Sequence, residues 1–542
     1  METTNVVKDQ DFLGDGDFSF SNELSGDDAL DFLLSKPSVF IQQKSYYIVP
    51  TRTLPALYFT DTWKTAPRLV LTLGVRWNPF VPVFDSAYHE EAIFSSSAYA
   101  ANIHSSRYPT LPPGLLLAGD PGVPSRVVDS NYYLFDPRVG FALDVFGTGM
   151  TSLRGGFGMY QDQMTANTMN PNFSPFNVNV NFTNPASIEN PYQGQIDPFP
   201  LPRGPAPQST PFQIPEAANP FTLGMKPPTI DQWNLTLEQQ VLHSSVFRIA
   251  YEGEASYNLF GSVEGNAAIY NPAETLQQNL ANYNIRRPKG ANFQGLALGR
   301  DVGRANFNSL TVSMQKQSTR GVTFLAGYRW SRCMDESEEA FFDTDAYSTP
   351  NPSHDYGPCT FNVKNQVKGS FVWDLPSTNL GWVFANRVLS NWEANGILTL
   401  SSGEPFTVFS GVDHSTSGIG LDRADLVGNP YLPGGRSHAQ VAREYFNTAA
   451  FTTNALGTFG DTGRDFLVGP GYSDLDFSIV RIFKLPSSGR EAQFLQFRAE
   501  SFNLANRVNF FNPTARVASN ADGTISSANT PRILQFALKY SF

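Results

Sequence analysis

The chain closes with PRILQFALKYSF, residues 531–542, and its side chains alternate between two faces. In an extended strand every second residue lies on the same face. One face here carries only large apolar and aromatic side chains: Leu534, Phe536, Leu538, Tyr540 and Phe542. A soluble sheet buries such a face, whereas lipid covers it in a transmembrane β-barrel, whose closed ladder satisfies the backbone without water. The stretch therefore predicts a membrane-spanning strand.

The composition is compatible with a barrel. Aromatic residues make up 13% and charged residues only 16% of the 542 residues, against about a quarter charged in typical soluble domains. The mean hydropathy of -0.25 and the lack of an apolar run of about 18 residues exclude a helical membrane protein, while a barrel hides its hydrophobicity in alternation. The net charge of -11 argues against a nucleic-acid partner, because phosphate neutralisation needs clustered Lys and Arg.

About fifteen segments alternate in this way, which predicts an all-β, antiparallel fold. In 68–78, the face of Leu71, Leu73 and Val75 lies opposite Thr72 and Arg76. Polar faces rich in Arg, Glu and Gln suit a hydrated lumen better than a dry core. The predicted strands are 12–24, 38–49, 53–64, 68–78, 138–146, 151–161, 231–242, 245–254, 305–316, 320–331, 361–373, 391–402, 474–484, 492–503 and 532–542.

The connections between these segments differ in length on the two sides. One side has brief, hairpin-like joins, namely 65–67, 147–150, 243–245, 317–321 and 486–491, with 374–390 somewhat longer. The other side has long joins: 79–137, 162–230, 255–304, 332–360, 403–473 and 504–531. Long extracellular loops and short periplasmic turns are typical of an outer-membrane barrel.

The amino-terminal METTNVVKDQDFLGDGDF has no basic region, apolar region or cleavage site of a secretory signal peptide. An odd strand count places residue 1 outside if residue 542 lies in the periplasm, which is not expected of a complete single-chain barrel. We therefore expect residues 1–542 to be the carboxyl-terminal portion of a larger barrel.

Six of the seven Trp residues lie near predicted strand ends, as the aromatic girdles of a membrane barrel require. The alternative is ordinary packing at sheet margins. The six girdle candidates are Trp63, Trp77, Trp233, Trp330, Trp373 and Trp392.

Eight stretches, in order, resemble the barrel of Oar-like TonB-dependent outer-membrane receptors, especially those of soil acidobacteria. They are SGDDALDFLLSKP, LYFTDTWKTAPRLVLTLGVRW, DPRVGFALDVFGTGMTSLRGGFGMY, QWNLTLEQQV, FNSLTVSMQKQSTRGVTFLAGYRWSRCMD, WEANGILTLSSGEPFTV, EYFNTAAF and FLQFRAESFNLANRVNFFNP.

The resemblance covers residue 12 to the end and implies a 22-stranded barrel with an amino-terminal plug and a TonB box. None of these upstream parts is visible in residues 1–542. The resemblance also implies that a terminal strand ending in Phe542 is the signal read by the barrel-assembly machinery, and that the protein resides in the outer membrane of a Gram-negative bacterium.

Cys333 and Cys359 flank one predicted outer loop. In an oxidising compartment they predict a disulfide, which stabilises by about 3 kcal/mol through loop closure; two free thiols are the alternative. Seven acids follow Cys333, and a solvated charged loop is favoured over a Ca²⁺ site, because no D-x-D-x-D-G spacing is present. The acids are Asp335, Glu336, Glu338, Glu339, Asp343, Asp345 and Asp355.

The long segment 162–230 is rich in Pro, Asn and Phe. The six Phe rings of this segment either contact a ligand or pack the loop onto the barrel rim. They are Phe173, Phe176, Phe182, Phe199, Phe212 and Phe221.

No metal-ligand spacing, nucleophile elbow or phosphate loop is present, and His414 beside Asp413 and Ser415 is too local for a triad. We therefore expect neither enzyme activity nor a cofactor. The first hypothesis is a TonB-dependent transport barrel that binds a small solute or oligosaccharide with its outer loops. The alternatives are a plugless passive porin and a secreted soluble all-β protein that binds or degrades glycans.

Overall fold

The computed structural model describes residues 2–5, 8–9, 13–21, 25–44, 47–165, 178–195, 197, 208–209, 212, 214–242, 244–317, 321–336, 347, 349–376, 390–485 and 493–542. In these ranges, no helix has the length and apolar character needed to cross a membrane.

Thirteen strands form one antiparallel meander, called the wall, in which each strand pairs with its neighbours in chain order. They are β1 (Leu57–Ala66), β2 (Leu69–Trp77), β3 (Phe135–Asp144), β4 (Thr151–Gln161), β5 (Thr229–Leu242), β6 (Ser245–Glu264), β7 (Phe293–Lys316), β8 (Val322–Asp335), β9 (Asn365–Asp374), β10 (Trp392–Ser401), β11 (Tyr472–Leu485), β12 (Gln493–Phe502) and β13 (Ile533–Ser541). Two short strands, Glu216–Ala218 on β7 and Gly357–Pro358 on β8, complete a 15-stranded sheet. The predicted all-β, largely antiparallel fold is confirmed.

The register aligns the apolar face predicted from single strands across the whole wall. One row runs from Leu71 through Phe141, Gly155, Leu235 and Tyr251 to Leu310 and Trp330 on successive strands. This face is exposed rather than tucked between two layers: Leu73 is 50%, Leu235 47% and Phe536 70% exposed. An exposed apolar face shared by all strands needs lipid as its solvent.

The predicted segregation of connection lengths is present. On the turn side, the joins are 67–68, 145–150, 243–244, 317–321, 375–391 and 486–492. On the loop side, they are 78–134, 162–228, 265–292, 336–364, 402–471 and 503–532.

Two of the predicted strands do not belong to the wall. Segments 12–24 and 38–49 contain Leu13–Ser19 and Val39–Lys44, which pair with each other. Val39–Lys44 pairs on its other side with Val178–Thr183 from a loop-side connection. Phe40 is buried there and packs against Phe18 with ring centroids 4.7 Å apart and the rings tilted by 38°. Alternation marks any half-buried sheet, so it does not separate a lipid-facing strand from a strand of a small accessory sheet.

The remaining short strands form further two- and three-stranded sheets on the connections and the amino-terminal segment. The pairings are Glu2–Asn5 with Pro50–Leu54 and Phe84–Asp85, Lys8–Asp9 with Tyr47–Ile48, Ala92–Phe94 with Leu115–Leu117, Pro405–Phe406 with Leu467–Val468, and Asp425–Leu426 with Phe451–Thr452. The helices are Asp28–Leu33, Ser96–Ala100, Leu276–Ala281, Tyr283–Arg286 and His438–Arg443, with 3₁₀ turns at Pro352–Asp355 and Thr448–Ala450.

β6 and β7 are much longer than predicted and pair as far as Glu264 with Ala297. Beyond Tyr257 the register shifts twice, which disrupts the alternation on which the prediction relied. Phe293 and Leu296 of this extension belong to a buried cluster. The apolar residues of the extension are therefore placed by contacts within the protein and not by contact with lipid.

The sheet is open. Both edge strands, β1 and β13, run from the loop side to the turn side, and within the described ranges neither outer edge pairs with another strand. Nearly all residues of both strands are exposed.

Candidate functional site

The loop side carries an ordered assembly built from several long connections. Its largest buried cluster joins connection 78–134 to the tip of β7 and to a few residues of 162–228. Fully buried members include Phe80, Ile93, Leu115 and Phe293. A sequence signal for this cluster is the apolar run LPPGLLLAG at 111–119, which lies inside the predicted long join 79–137. Connections that bury a core of their own have a defined conformation and therefore a defined surface.

The described Phe residues of the Pro-rich segment take part in packing. Phe212 and Phe221 are buried, and Phe212 meets Tyr108 edge to face with ring centroids 5.6 Å apart. Phe182 packs against Phe40 and Tyr192. The sequence predicted either ligand contact or packing for these rings, and these three rings pack. Phe173, Phe176 and Phe199 lie outside the described residues.

Cys333, near the end of β8, and Cys359 form a disulfide, with their Cα atoms 5.4 Å apart. It ties the wall to connection 336–364, whose residues Gly357–Pro358 also pair with the end of β8. The disulfide thus fixes the base of this loop to the barrel rim.

We expect reduction, or the double change Cys333→Ser and Cys359→Ser, to destabilise this loop by about 3 kcal/mol, because the bond closes a sequence separation of 26 residues. The measurement is the rate of limited proteolysis within 336–364, with and without reductant. The double variant is the control, since its cleavage rate should not respond to reductant. Equal rates for reduced and oxidised wild type would contradict the expectation.

The acids beside this disulfide are not a solvated charged loop, which corrects our prediction for the three that the structure describes. Asp335, Glu336 and Asp355 are buried. Asp335 pairs with Arg464, Glu336 with Arg304 at 2.8 Å, and Asp355 with Arg423 at 3.6 Å. The other four acids lie outside the described residues. A charge buried on folding requires a partner, which the sequence alone did not reveal.

Arg423 and Arg464 reach from connection 402–471 to the disulfide loop. Arg423, 2% exposed, donates to the carbonyl oxygen of His354 at 2.8 Å. Arg464 donates to the carbonyl oxygen of Asp335 at 3.0 Å. Burial lowers the pKa of His354, and the neighbouring Arg423 guanidinium lowers it further. The two connections are therefore joined by buried charge pairs as well as by backbone contacts.

Connection 402–471 has its own buried cluster, with Phe406, Val408 and Phe446 among its members. A cavity of about 300 Å³ lies beside it, with Tyr431 and Arg436 among its lining residues. Tyr431 is exposed. Apolar floors with a few polar groups are typical of small-molecule sites.

His414 and Ser415 make local contacts within connection 402–471. The His414 Nδ1 lies 2.6 Å from the carbonyl oxygen of Asn454, and Ser415 Oγ lies within hydrogen-bond distance of Asp413 Oδ1 and of Ser417 Oγ, at 2.9 and 2.8 Å. These contacts hold a turn together and do not align a base with a nucleophile.

Glu91 is a fully buried carboxyl group beside Asp85 and Glu90 in connection 78–134. Burial raises the pKa of Glu91 to about 8, although the Asp85 backbone N–H donates to it. Because the pKa of Glu91 in the folded protein lies above the ordinary glutamate value of 4.5, the stability that this group contributes is complete below pH 4.5 and is lost as pH rises towards 8.

We therefore expect the free energy of opening the antiparallel strand pair Ala92–Phe94 and Leu115–Leu117 to fall by on the order of 1 kcal/mol per pH unit across this window. The measurement is amide hydrogen exchange, corrected for the intrinsic pH dependence, between about pH 5 and about pH 9. Glu91→Gln should remove the slope, and an unchanged slope in that variant would assign it to another group.

A family model described as "Outer membrane beta barrel domain" matches residues 1–535. The chain belongs to this family. The outer membrane is therefore the location of the barrel domain, and the exposed apolar face of its wall is the face that meets lipid.

Solved structures similar to the barrel domain include an outer-membrane transporter and a ferric preacinetobactin receptor. The transporter YddB from Escherichia coli shows 8% identity and a TM-score of 0.43, with 92% of this chain and 50% of that chain covered. The ferric preacinetobactin receptor BauA from Acinetobacter baumannii shows 12% identity and a TM-score of 0.38, with 93% and 44% covered. The chain thus spans about half the length of these proteins. A comparison with curated proteins found no match.

All six girdle candidates lie on the apolar face of the barrel domain. Trp63, Trp373 and Trp392 are at the turn side. Trp77, Trp233 and Trp330 share the face with Leu71, Leu235 and Leu310 and lie towards the loop side. Their contact with the membrane interface stays a prediction, and this placement is the geometry it requires.

The lumen face of the barrel domain is polar near the loop side of β1 to β4. A cavity of about 310 Å³ is lined by Tyr58, Arg76 and Arg138, among others. The Arg138 guanidinium lies 4.5 Å from the ring centroid of Tyr160. Further down, Glu238 lies between Arg154 and Arg248, at 3.7 and 3.8 Å. Acids lie among these cations, since Asp136 is paired with Arg76 across β2 and β3.

Proposed function

We propose that the barrel domain is the membrane-spanning part of a TonB-dependent receptor that binds a solute on its loop side and admits it in the full-length protein. The long connections face the cell exterior and the short ones the periplasm, as is usual for such barrels. The observation that carries the proposal is the ordered loop-side assembly, in which a disulfide, buried charge pairs and two buried clusters give several connections a defined shape.

The lumen contributes the second part of the argument. Its face carries Arg76 and Arg138 near the loop-side entrance, and guanidinium groups there can contact an anionic solute that has passed the loops. Two of the similar structures are an outer-membrane transporter and a ferric preacinetobactin receptor, and we propose the same class of function for this barrel domain. The partners that this proposal requires are outer-membrane lipid, the barrel-assembly machinery and TonB, the last through a plug and TonB box outside residues 1–542.

The proposal is tested by producing the chain in the outer membrane of a Gram-negative host and titrating the extracted protein by calorimetry with ferric siderophores, cobalamin, oligosaccharides and peptides. We expect saturable binding of one class, weakened in the Cys333→Ser, Cys359→Ser variant because its loops are less ordered. Ion conductance in planar bilayers without saturable binding of any class would indicate a passive porin instead. A monodisperse folded protein in buffer without detergent would contradict both and favour the secreted soluble protein.

A further inference from the structure

The outward face of β6 to β8 changes from apolar to polar directly above Trp330. The last apolar row is Tyr251, Leu310 and Trp330; the next row towards the loop side pairs Asn308 with Arg332. A groove of about 300 Å³ lies at this change, lined by both rows and closed on the loop side by Tyr356. Because the groove lies on the lipid-facing side of the wall, it opens to the membrane and not to the lumen.

Hydrogen bonds fix the polar groups of the groove. Tyr251 Oη donates to Asn308 Oδ1 at 2.6 Å, and Asn308 Nδ2 donates to Asn306 Oδ1 at 2.6 Å. Asn306 Nδ2 in turn donates to the carbonyl oxygen of Glu254 at 3.2 Å. Each amide nitrogen carries a second N–H beyond the one used in this chain. Three polar groups, the Tyr251 hydroxyl and the amides of Asn308 and Asn306, are thus held in place at the edge of the apolar band. A surface that faces only water does not need its polar side chains to be linked in this way.

Arg332 supplies the charge. It is exposed, and among the described residues it forms no ion pair. Of the acids near it that the structure describes, Asp335 pairs with Arg464 and Glu336 with Arg304. The Arg304 guanidinium also lies over the Tyr356 ring at 4.8 Å, which fixes that wall of the groove. The guanidinium of Arg332 is therefore the group of the groove that can bind an anion, and guanidinium groups bind phosphate in a planar, bidentate manner.

We propose that this groove binds the phosphorylated sugar headgroup of an outer-leaflet glycolipid. Arg332 pairs with the phosphate, the amides of Asn306 and Asn308 contact sugar hydroxyl groups, and Trp330 lies at the boundary with the acyl chains. A glycolipid fits better than a simple phospholipid because the groove offers fixed amide groups beside the cation as well as the cation itself. The inference uses the membrane orientation of the proposed function but does not depend on which solute is bound.

The experiment uses the full chain extracted from outer membranes in detergent and native mass spectrometry to measure bound lipid. The probes are lipid A with two phosphates, lipid A with both phosphates removed, and phosphatidylglycerol. The variant is Arg332→Gln. The matched control is Arg329→Gln, on the same strand but on the lumen face. Heat-dependent gel migration of each variant checks that its barrel is folded.

We expect bisphosphorylated lipid A to bind the wild type roughly tenfold more tightly than it binds Arg332→Gln, and Arg329→Gln to behave as wild type. The phosphate-free lipid should bind weakly to all three proteins, a comparison that needs no variant to fold. Equal binding of the phosphorylated and phosphate-free lipids to the wild type overturns the proposal. Equal losses in the two variants also overturn it, as does phosphatidylglycerol binding as tightly as lipid A. Solute binding measured on the same samples shows separately whether the receptor proposal stands.

Discussion

Leu398→Arg in β10 is expected to destabilise the barrel domain by about 2–4 kcal/mol, the cost of a basic side chain at mid-height on a lipid-facing surface. Leu398 lies on the apolar face, paired with Leu475 of β11 and Gly369 of β9. Trp392 of the same strand marks the turn-side end of this face. Lipid offers the new guanidinium neither water nor a counter-ion there.

The matched control is Ile397→Arg, one residue earlier on the same strand. Ile397 is 57% exposed and faces the lumen opposite Asp476, so the same substitution meets water and an acid and should cost little. The measurement is urea unfolding in lipid vesicles, followed by heat-dependent gel migration. If the two variants lost stability equally, the assignment of the two faces would be wrong.

Asp355→Ala is expected to cost about 3–5 kcal/mol in the stability of the loop-side assembly, because it removes a partner of the buried Arg423. Arg423 would keep its hydrogen bond to the His354 carbonyl oxygen, but a carbonyl does not balance a full charge. The barrel wall should stay intact, since this pair lies outside it. Hydrogen exchange in 349–360 and 402–471 against the wall strands measures the difference.

The control for this change is the double variant Asp355→Leu, Arg423→Met. Replacing both members of a buried pair by apolar groups of similar size often costs little, so the double variant should exchange more slowly than the single one. A double variant that is less protected than Asp355→Ala would show that Arg423 contributes through its carbonyl contacts rather than through charge pairing.

The wall could be predicted from the sequence because lipid imposes one rule on every strand. The segment 151–161 coincides with β4, and 391–402 and 492–503 exceed β10 and β12 by one residue at each end. Alternation and short turns are local signals, and a uniform apolar solvent makes them agree across the sheet.

The loop-side assembly could not be predicted in the same way, since its contacts join residues distant in sequence. Arg464 meets Asp335, and Arg423 meets Asp355, yet nothing near any of these residues marks the pairing. The accessory strand Val39–Lys44 met the alternation rule and still lies outside the wall, because its partner is Val178–Thr183. The two cysteines were the exception, since a pair of thiols in an oxidising compartment restricts the choice of partner to one.

The open sheet constrains how this chain can associate with itself. Copies inserted in one membrane share the same orientation, so a two-fold axis perpendicular to the membrane would place β13 beside β13, or β1 beside β1, with the strands parallel. Joining β1 of one copy to β13 of the next also gives a parallel contact. Antiparallel completion of the ring instead requires a polypeptide that adds an odd number of strands between the two edges, whose first and last members both run from the periplasm outwards.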